Sequence, residues 1–164
     1  MAQAAELEVD KGRSRIQVDA RATGHSFTGT LEDYTVSAAG DASTNAPTSL
    51  SLAWDFNDLK TGDVKRDAAM IAWLGGGKPK GSFKLIKSWM EPEGPRAQGE
   101  LTIHGVSKAI AIPYTVSREG NWVTIDGKAR VNYFHYGLPE IRNMAVMTVE
   151  PGLLVRFHIV GKVK

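Results

Sequence analysis

Residues 101–131 read LTIHGVSKAIAIPYTVSREGNWVTIDGKARV. Apolar and polar residues alternate along this stretch. Leu101 and Ile103 share one parity, as do Ile110, Ile112, Tyr114 and Val116, and then Val123, Ile125, Gly127, Ala129 and Val131. Period two marks a strand with one buried face. The two interruptions, Gly105–Lys108 and Arg118–Asn121, carry turn residues. Connections this short join antiparallel neighbours, so the stretch predicts a meander.

The pattern extends in both directions. Upstream lie Ile16, Val18 and Ala20; Phe27, Gly29 and Leu31, continuing through Tyr34, Val36 and Ala38; Leu50, Leu52, Trp54 and Phe56; Phe83 and Leu85; and Ala97 and Gly99. Downstream lie Leu153, Val155, Phe157, Ile159 and Gly161. About eight strands result. Nothing resembling a linker divides the chain, so residues 1–164 form a single domain, with 1–10 expected as a flexible N-terminal segment. A meander of this length can close into a barrel and so remove its exposed edges. A two-sheet sandwich needs long crossovers, for which the sequence offers few candidates.

One stretch breaks the pattern. Residues 60–80, KTGDVKRDAAMIAWLGGGKPK, predict a helix over Val64–Leu74. Asp63 is its N-cap, and Val64, Ala68, Ile71 and Leu74 form an apolar stripe with Met70 and Trp73 beside it. Gly75, Gly76 and Gly77 end it. A helix this short is stable only when packed on something. In a barrel the available apolar surface is an open mouth. The sequence leaves two roles for it, a fixed plug and a hinged lid whose residues meet a bound molecule.

Composition narrows the function. Hydrophobic residues make up 42% and charged residues 23% of the chain, with 20 basic and 18 acidic residues and a net charge of +2. That balance does not point to nucleic acid. Without cysteine there is no disulfide, thiolate metal site or cysteine nucleophile, and the composition suits an oxidising compartment. No apolar run approaches the ~18 residues of a membrane span. Ala2-Gln3-Ala4 has the small-x-small form of a signal-peptidase site, although an ordinary cytosolic start fits equally well.

Chemistry-bearing residues are sparse. The histidines, His25, His104, His135 and His158, lack ligand spacing, and neither a metal nor a cofactor is expected. There is no G-x-S-x-G, and Ser107 falls in a turn without a base. Nothing pairs Glu91, Glu93 or Glu140 as acid and base. Tyr133, His135 and Tyr136 would be the members of any mouth-borne active site. Arg66 and Arg142 each have two readings, an anionic head-group contact or a structural ion pair.

The barrel's inner row mixes large apolar residues with small ones such as Gly99 and Ala129. Small positions leave room for a ligand or mark tight bends. With room left, the expected channel lining is Phe27, Leu52, Trp54, Phe83, Leu101 and Ile103, continuing through Ile112, Tyr114, Val155 and Phe157. Met70 and Trp73 would join it from the helix.

Four stretches together resemble the YceI-like family of secreted bacterial proteins. LTIHGVSKAIAIPYTV (Leu101–Val116) is similar to its strand-turn-strand signature, and KTGDVKRDAAMIAWL (Lys60–Leu74) to its Thr-…-Arg-Asp segment and short helix. FTGTLEDY (Phe27–Tyr34) resembles an early strand, and NYFHYGLPEIR (Asn132–Arg142) stands where the family has Arg-x-x-Phe-Gly. The resemblance implies a lipocalin-like closed antiparallel β-barrel with a helix at one mouth. It also implies an elongated apolar channel that binds polyisoprenoid or fatty chains, and a periplasmic or secreted setting after removal of a signal peptide. The expected function is non-enzymatic binding or carriage of a long-chain apolar amphiphile. A homodimer is compatible with this. A small-molecule enzyme at the mouth and an interaction module with a filled barrel are the alternatives.

Overall fold

The computed structural model describes residues 4–143 and 147–164. Its strands close into an eight-stranded antiparallel barrel. The first two staves form one long bent hairpin. β1 (Ala4–Val9) and β2 (Arg15–Ala22) run out, and β3 (His25–Leu31) and β4 (Thr35–Asp41) return, with β2 paired to β3 and β1 to β4. The chain continues as a meander through β5 (Pro47–Asp55), a two-residue β6 (Leu59–Lys60), α1 (Val64–Trp73), β7 (Lys80–Glu91), β8 (Gly94–Ile103), β9 (Val106–Glu119) and β10 (Trp122–Asn132). Short strands β11 (Ile141–Asn143) and β12 (Met147–Val149) precede β13 (Gly152–Val163). β13 closes the ring by pairing with β10 on one side and with both β2 and β1 on the other.

Turn chemistry sets the register. Ile103 faces Val106 across a two-residue loop, His104–Gly105, whose φ angles are 55° and 72°. Two successive positive φ values give the mirror-image turn whose twist matches a hairpin. The turn is thus shorter than the expected Gly105–Lys108. Ser107 belongs to β9, with its hydroxyl 2.7 Å from that of Thr102 on the facing strand.

Two expectations are corrected. Residues 4–9 of the anticipated flexible segment form β1, which seals the barrel between β4 and β13; residues 1–3 lie outside the described residues. The row from Phe27 to Ala38 is not one strand, because Glu32–Tyr34 leave the ladder. Tyr34 turns inward, 6% exposed, and Lys11 lies 5.0 Å above its ring. The facing break at Asp10–Ser14 is stitched by Ser14 Oγ, which accepts from the Val160 N–H at 2.9 Å and donates to the Asp10 carbonyl at 2.7 Å. The paired breaks bend the hairpin so that its two halves follow different parts of β13.

Asp55 ends β5 and caps a 3₁₀ turn at Phe56–Asp58. Its carboxylate accepts from the Asn57 backbone N–H at 2.9 Å and side-chain amide at 2.8 Å, and pairs with Lys80 at 3.1 Å. These contacts, the Asn57 backbone bond first, hold its pKa down from 3.8 to about 2. A depressed carboxylate pKa contributes stability above the unfolded-state value, and that stability disappears as pH falls through the folded one. Asp55→Asn is therefore expected to flatten the loss of thermal stability between 3.8 and about 2. Melts across that window check this, and a slope equal to the parent's would contradict it.

Candidate functional site

The barrel encloses a cavity of about 540 Å³, within the range of small-molecule sites. Its wall is the inner row of the staves. The structure places all ten strand residues of the expected lining against it: Phe27, Leu52, Trp54, Phe83, Leu101, Ile103, Ile112, Tyr114, Val155 and Phe157. Met70 and Trp73 join them from α1. The alternative of a filled barrel does not fit a cavity of this size. Leu138, Glu140 and Ile141, from the segment after β10, also line it. No periodicity in the sequence marks that segment, which reaches the short strand β11 only at Ile141.

Two of the inner glycines, Gly99 and Gly127, do not make the space. A Cβ at Gly99 would lie 2.1 Å from Phe83 Cζ, and one at Gly127 would lie 2.3 Å from Phe157 Cζ. Each ring lies over a glycine of the neighbouring strand, which lets a large aromatic sit flat on the wall. Gly99, expected to hold the channel open, is covered in this way. Ala129, 8% exposed, stands in the wall and pairs with Val155.

α1 covers one mouth. Asp63 caps it by accepting from the backbone N–H groups of Lys65 and Arg66 at 3.0 and 3.1 Å. The inward face differs from the expected stripe. Val64 is 84% exposed, Ala68 is exposed, and the cavity is met by Arg66, Ala69, Met70, Trp73 and Leu74. Ile71 packs on the core but does not line the cavity. Asp67 ties the helix down, accepting from the Thr61 hydroxyl at 2.6 Å and its N–H at 3.1 Å. Trp73 donates Nε1–H to the Pro139 carbonyl at 2.9 Å and meets Tyr133 edge-on at 5.1 Å. Gly75 donates to the Ala72 carbonyl and Gly76 to that of Ile71, with φ angles of 106° and 80°. Those two bonds close a Schellman cap, so the glycines form an ordered helix end.

Charged wall residues are confined to the two ends: Arg66, Glu140 and Arg142 at the helix mouth, and Asp41 and Arg118 at the other. Arg66 stacks its guanidinium 4.2 Å above the Phe27 ring. Among the described residues its acidic neighbour is Asp63, at 4.0 Å. Arg142 is held by Glu140, Nε to Oε1 at 2.6 Å. Arg118 was missed as a site residue, although it continues the parity of Ile110, Ile112 and Tyr114.

The residues of a mouth-borne active site do not converge. Tyr133 donates its hydroxyl to the Val149 carbonyl at 2.6 Å and accepts from the Ile141 N–H at 3.1 Å. Tyr136 is 1% exposed and lies off the cavity, whereas His135 is exposed. Burial pushes the pKa of Tyr133 and Tyr136 up, which keeps both phenols protonated.

No helix among the described residues is long and apolar enough to cross a membrane. No curated protein matches the chain. Among solved structures, BcnA of Burkholderia cenocepacia superposes with a TM-score of 0.76 at 19% identity, covering 93% of this chain and 99% of that one. The YceI protein of Campylobacter jejuni gives 0.63 at 14% identity, covering 83% and 84%. The YceI-like domain matches residues 7–160. With that match spanning nearly the whole barrel, the chain belongs to the YceI-like domain family.

Proposed function

We propose that the protein binds one long-chain apolar amphiphile, of polyisoprenoid or fatty type, and carries or sequesters it without chemical change. The observation that carries this reading is the distribution of polarity along the cavity: an apolar wall through the barrel, with charge only at the ends. Such a wall suits a chain, which gains roughly 25 cal/mol per Å² of apolar area removed from water. A periplasmic or extracellular setting fits the cysteine-free chain and its family. Arg66 is the head-group residue. Its guanidinium is only partly committed, whereas Glu140 occupies Arg142.

The direct test is mass spectrometry of lipid extracted from the purified protein, alongside titration with added prenyl phosphate. Recovery of no lipid together with no binding would overturn the reading. Turnover of the lipid would move it to the enzyme class. Arg66→Met is expected to weaken a prenyl phosphate by roughly ten- to a hundredfold, the range for a charge-assisted hydrogen bond. The uncharged prenol of the same length should bind as before. Equal losses for both ligands would mean that Arg66 shapes the mouth and does not read charge.

A further inference from the structure

The end of the cavity remote from α1 is crossed by a bridge. Arg118 lies at the end of β9 and pairs with Val123, a buried wall residue, so both face inward. Its Nη1 donates to Asn45 Oδ1 at 3.2 Å, and its Nε donates to the Gly120 carbonyl at 2.9 Å. Asn45 belongs to the β4–β5 turn, which lies across the ring from the β9–β10 turn. Two strands, β7 and β8, separate β5 from β9 on one side, and two, β13 and β1, separate β10 from β4 on the other. One hydrogen bond thus spans the mouth between opposite walls.

Both partners of the bridge are fixed. The Asn45 backbone stands at φ 61°, and its N–H donates to the Asp41 carbonyl at 2.8 Å. The Asp41 carboxylate accepts from the Ser43 N–H and hydroxyl at 2.8 and 2.6 Å, which holds the turn. The inner row of β9, apolar at Ile110 and Ile112 with the Tyr114 ring after them, ends in this guanidinium. A hydrocarbon tail advancing from the helix mouth gains by burial until it reaches Arg118. Beyond that point it must break the bridge and strip water from a charged group that hydrocarbon cannot compensate.

We infer that the Arg118–Asn45 bridge is the floor of the cavity and sets the longest chain the barrel accommodates. This rests on the amphiphile reading above and assigns the residues that determine its chain-length specificity.

The test is a series of prenyl monophosphates, from geranyl through farnesyl and geranylgeranyl to longer chains. They are titrated against the parent, Arg118→Ala and Asn45→Gly. Glycine keeps the positive φ at 45 and removes the side chain that carries the acceptor, so the bridge is cut from either side and a folding defect in one variant does not decide the outcome. For the parent, affinity should rise with length, roughly fourfold per buried methylene, and then level off. Both variants should level off at a longer chain than the parent. The same levelling point in all three proteins would overturn the floor while leaving the amphiphile reading intact. Binding of no prenyl phosphate by the parent would overturn that reading, and the floor with it.

Discussion

Ala129→Phe is expected to weaken binding of a long-chain amphiphile by about a hundredfold while leaving the barrel folded. Ala129 is 8% exposed and pairs with Val155 in the wall, and the ring of Phe157 already covers the neighbouring Gly127. Sheet backbone lies behind it, so a phenyl ring at 129 can extend only into the cavity. There it takes the place of three or four methylenes of the ligand, worth ~0.8 kcal/mol each, or about 3 kcal/mol. The cost to the fold is about 1–3 kcal/mol where the ring meets packed neighbours and less where it enters empty space. Probe displacement and denaturant unfolding, run on the same preparation, separate the two quantities. Unchanged affinity in a folded variant would show that the ligand binds elsewhere.

Trp73→Ala is expected to lower unfolding stability by about 2–3 kcal/mol, below the ~3–5 kcal/mol of a fully buried aromatic truncation because Trp73 is only half-buried. The loss should concentrate in α1. No residue within the helix is fully buried, and Leu74, its C-cap, is 5% exposed. Trp73 joins the helix to Tyr133 and to Pro139, and without it the cap bonds alone cannot hold so short an element. Backbone amides of α1 should therefore exchange faster, while those of β8 to β10 keep their protection. Trp73→Phe should recover most of the stability, since the Pro139 carbonyl it leaves is exposed and can bond to water. Parent-like exchange in α1 of Trp73→Ala would mean that capping, not packing, secures the helix.

Much of this architecture is local and was legible in the chain. Strand parity is a property of consecutive residues, so Ile110, Ile112, Tyr114, Val155 and Phe157 fall on the inner face wherever the strands lie. Asp63 as cap and the glycines as terminator follow from backbone chemistry within a few residues. The same local rule reached Arg118 by parity, but its role was invisible. Asn45 lies 73 positions away in sequence, and only barrel closure brings the two turns face to face.

Where the expectations diverge, long-range packing decided. The stripe beginning at Val64 is apolar, yet the helix turns Arg66, Met70 and Trp73 to the cavity, because Asp67 binds Thr61 and Trp73 meets Tyr133. Residues 4–9 lack a strong pattern of their own and become a strand because the ring needs a partner between β4 and β13. Gly99 looked like empty space and instead carries the Phe83 ring, a contact set by the register between β7 and β8. Local pattern accounts for most of the staves, their inner faces and the helix with its two ends. Which way the helix faces, what Gly99 and Gly127 support and where the cavity stops follow from packing across the barrel. Those depend on contacts between residues far apart in the chain, and a local pattern contains no information about such distances.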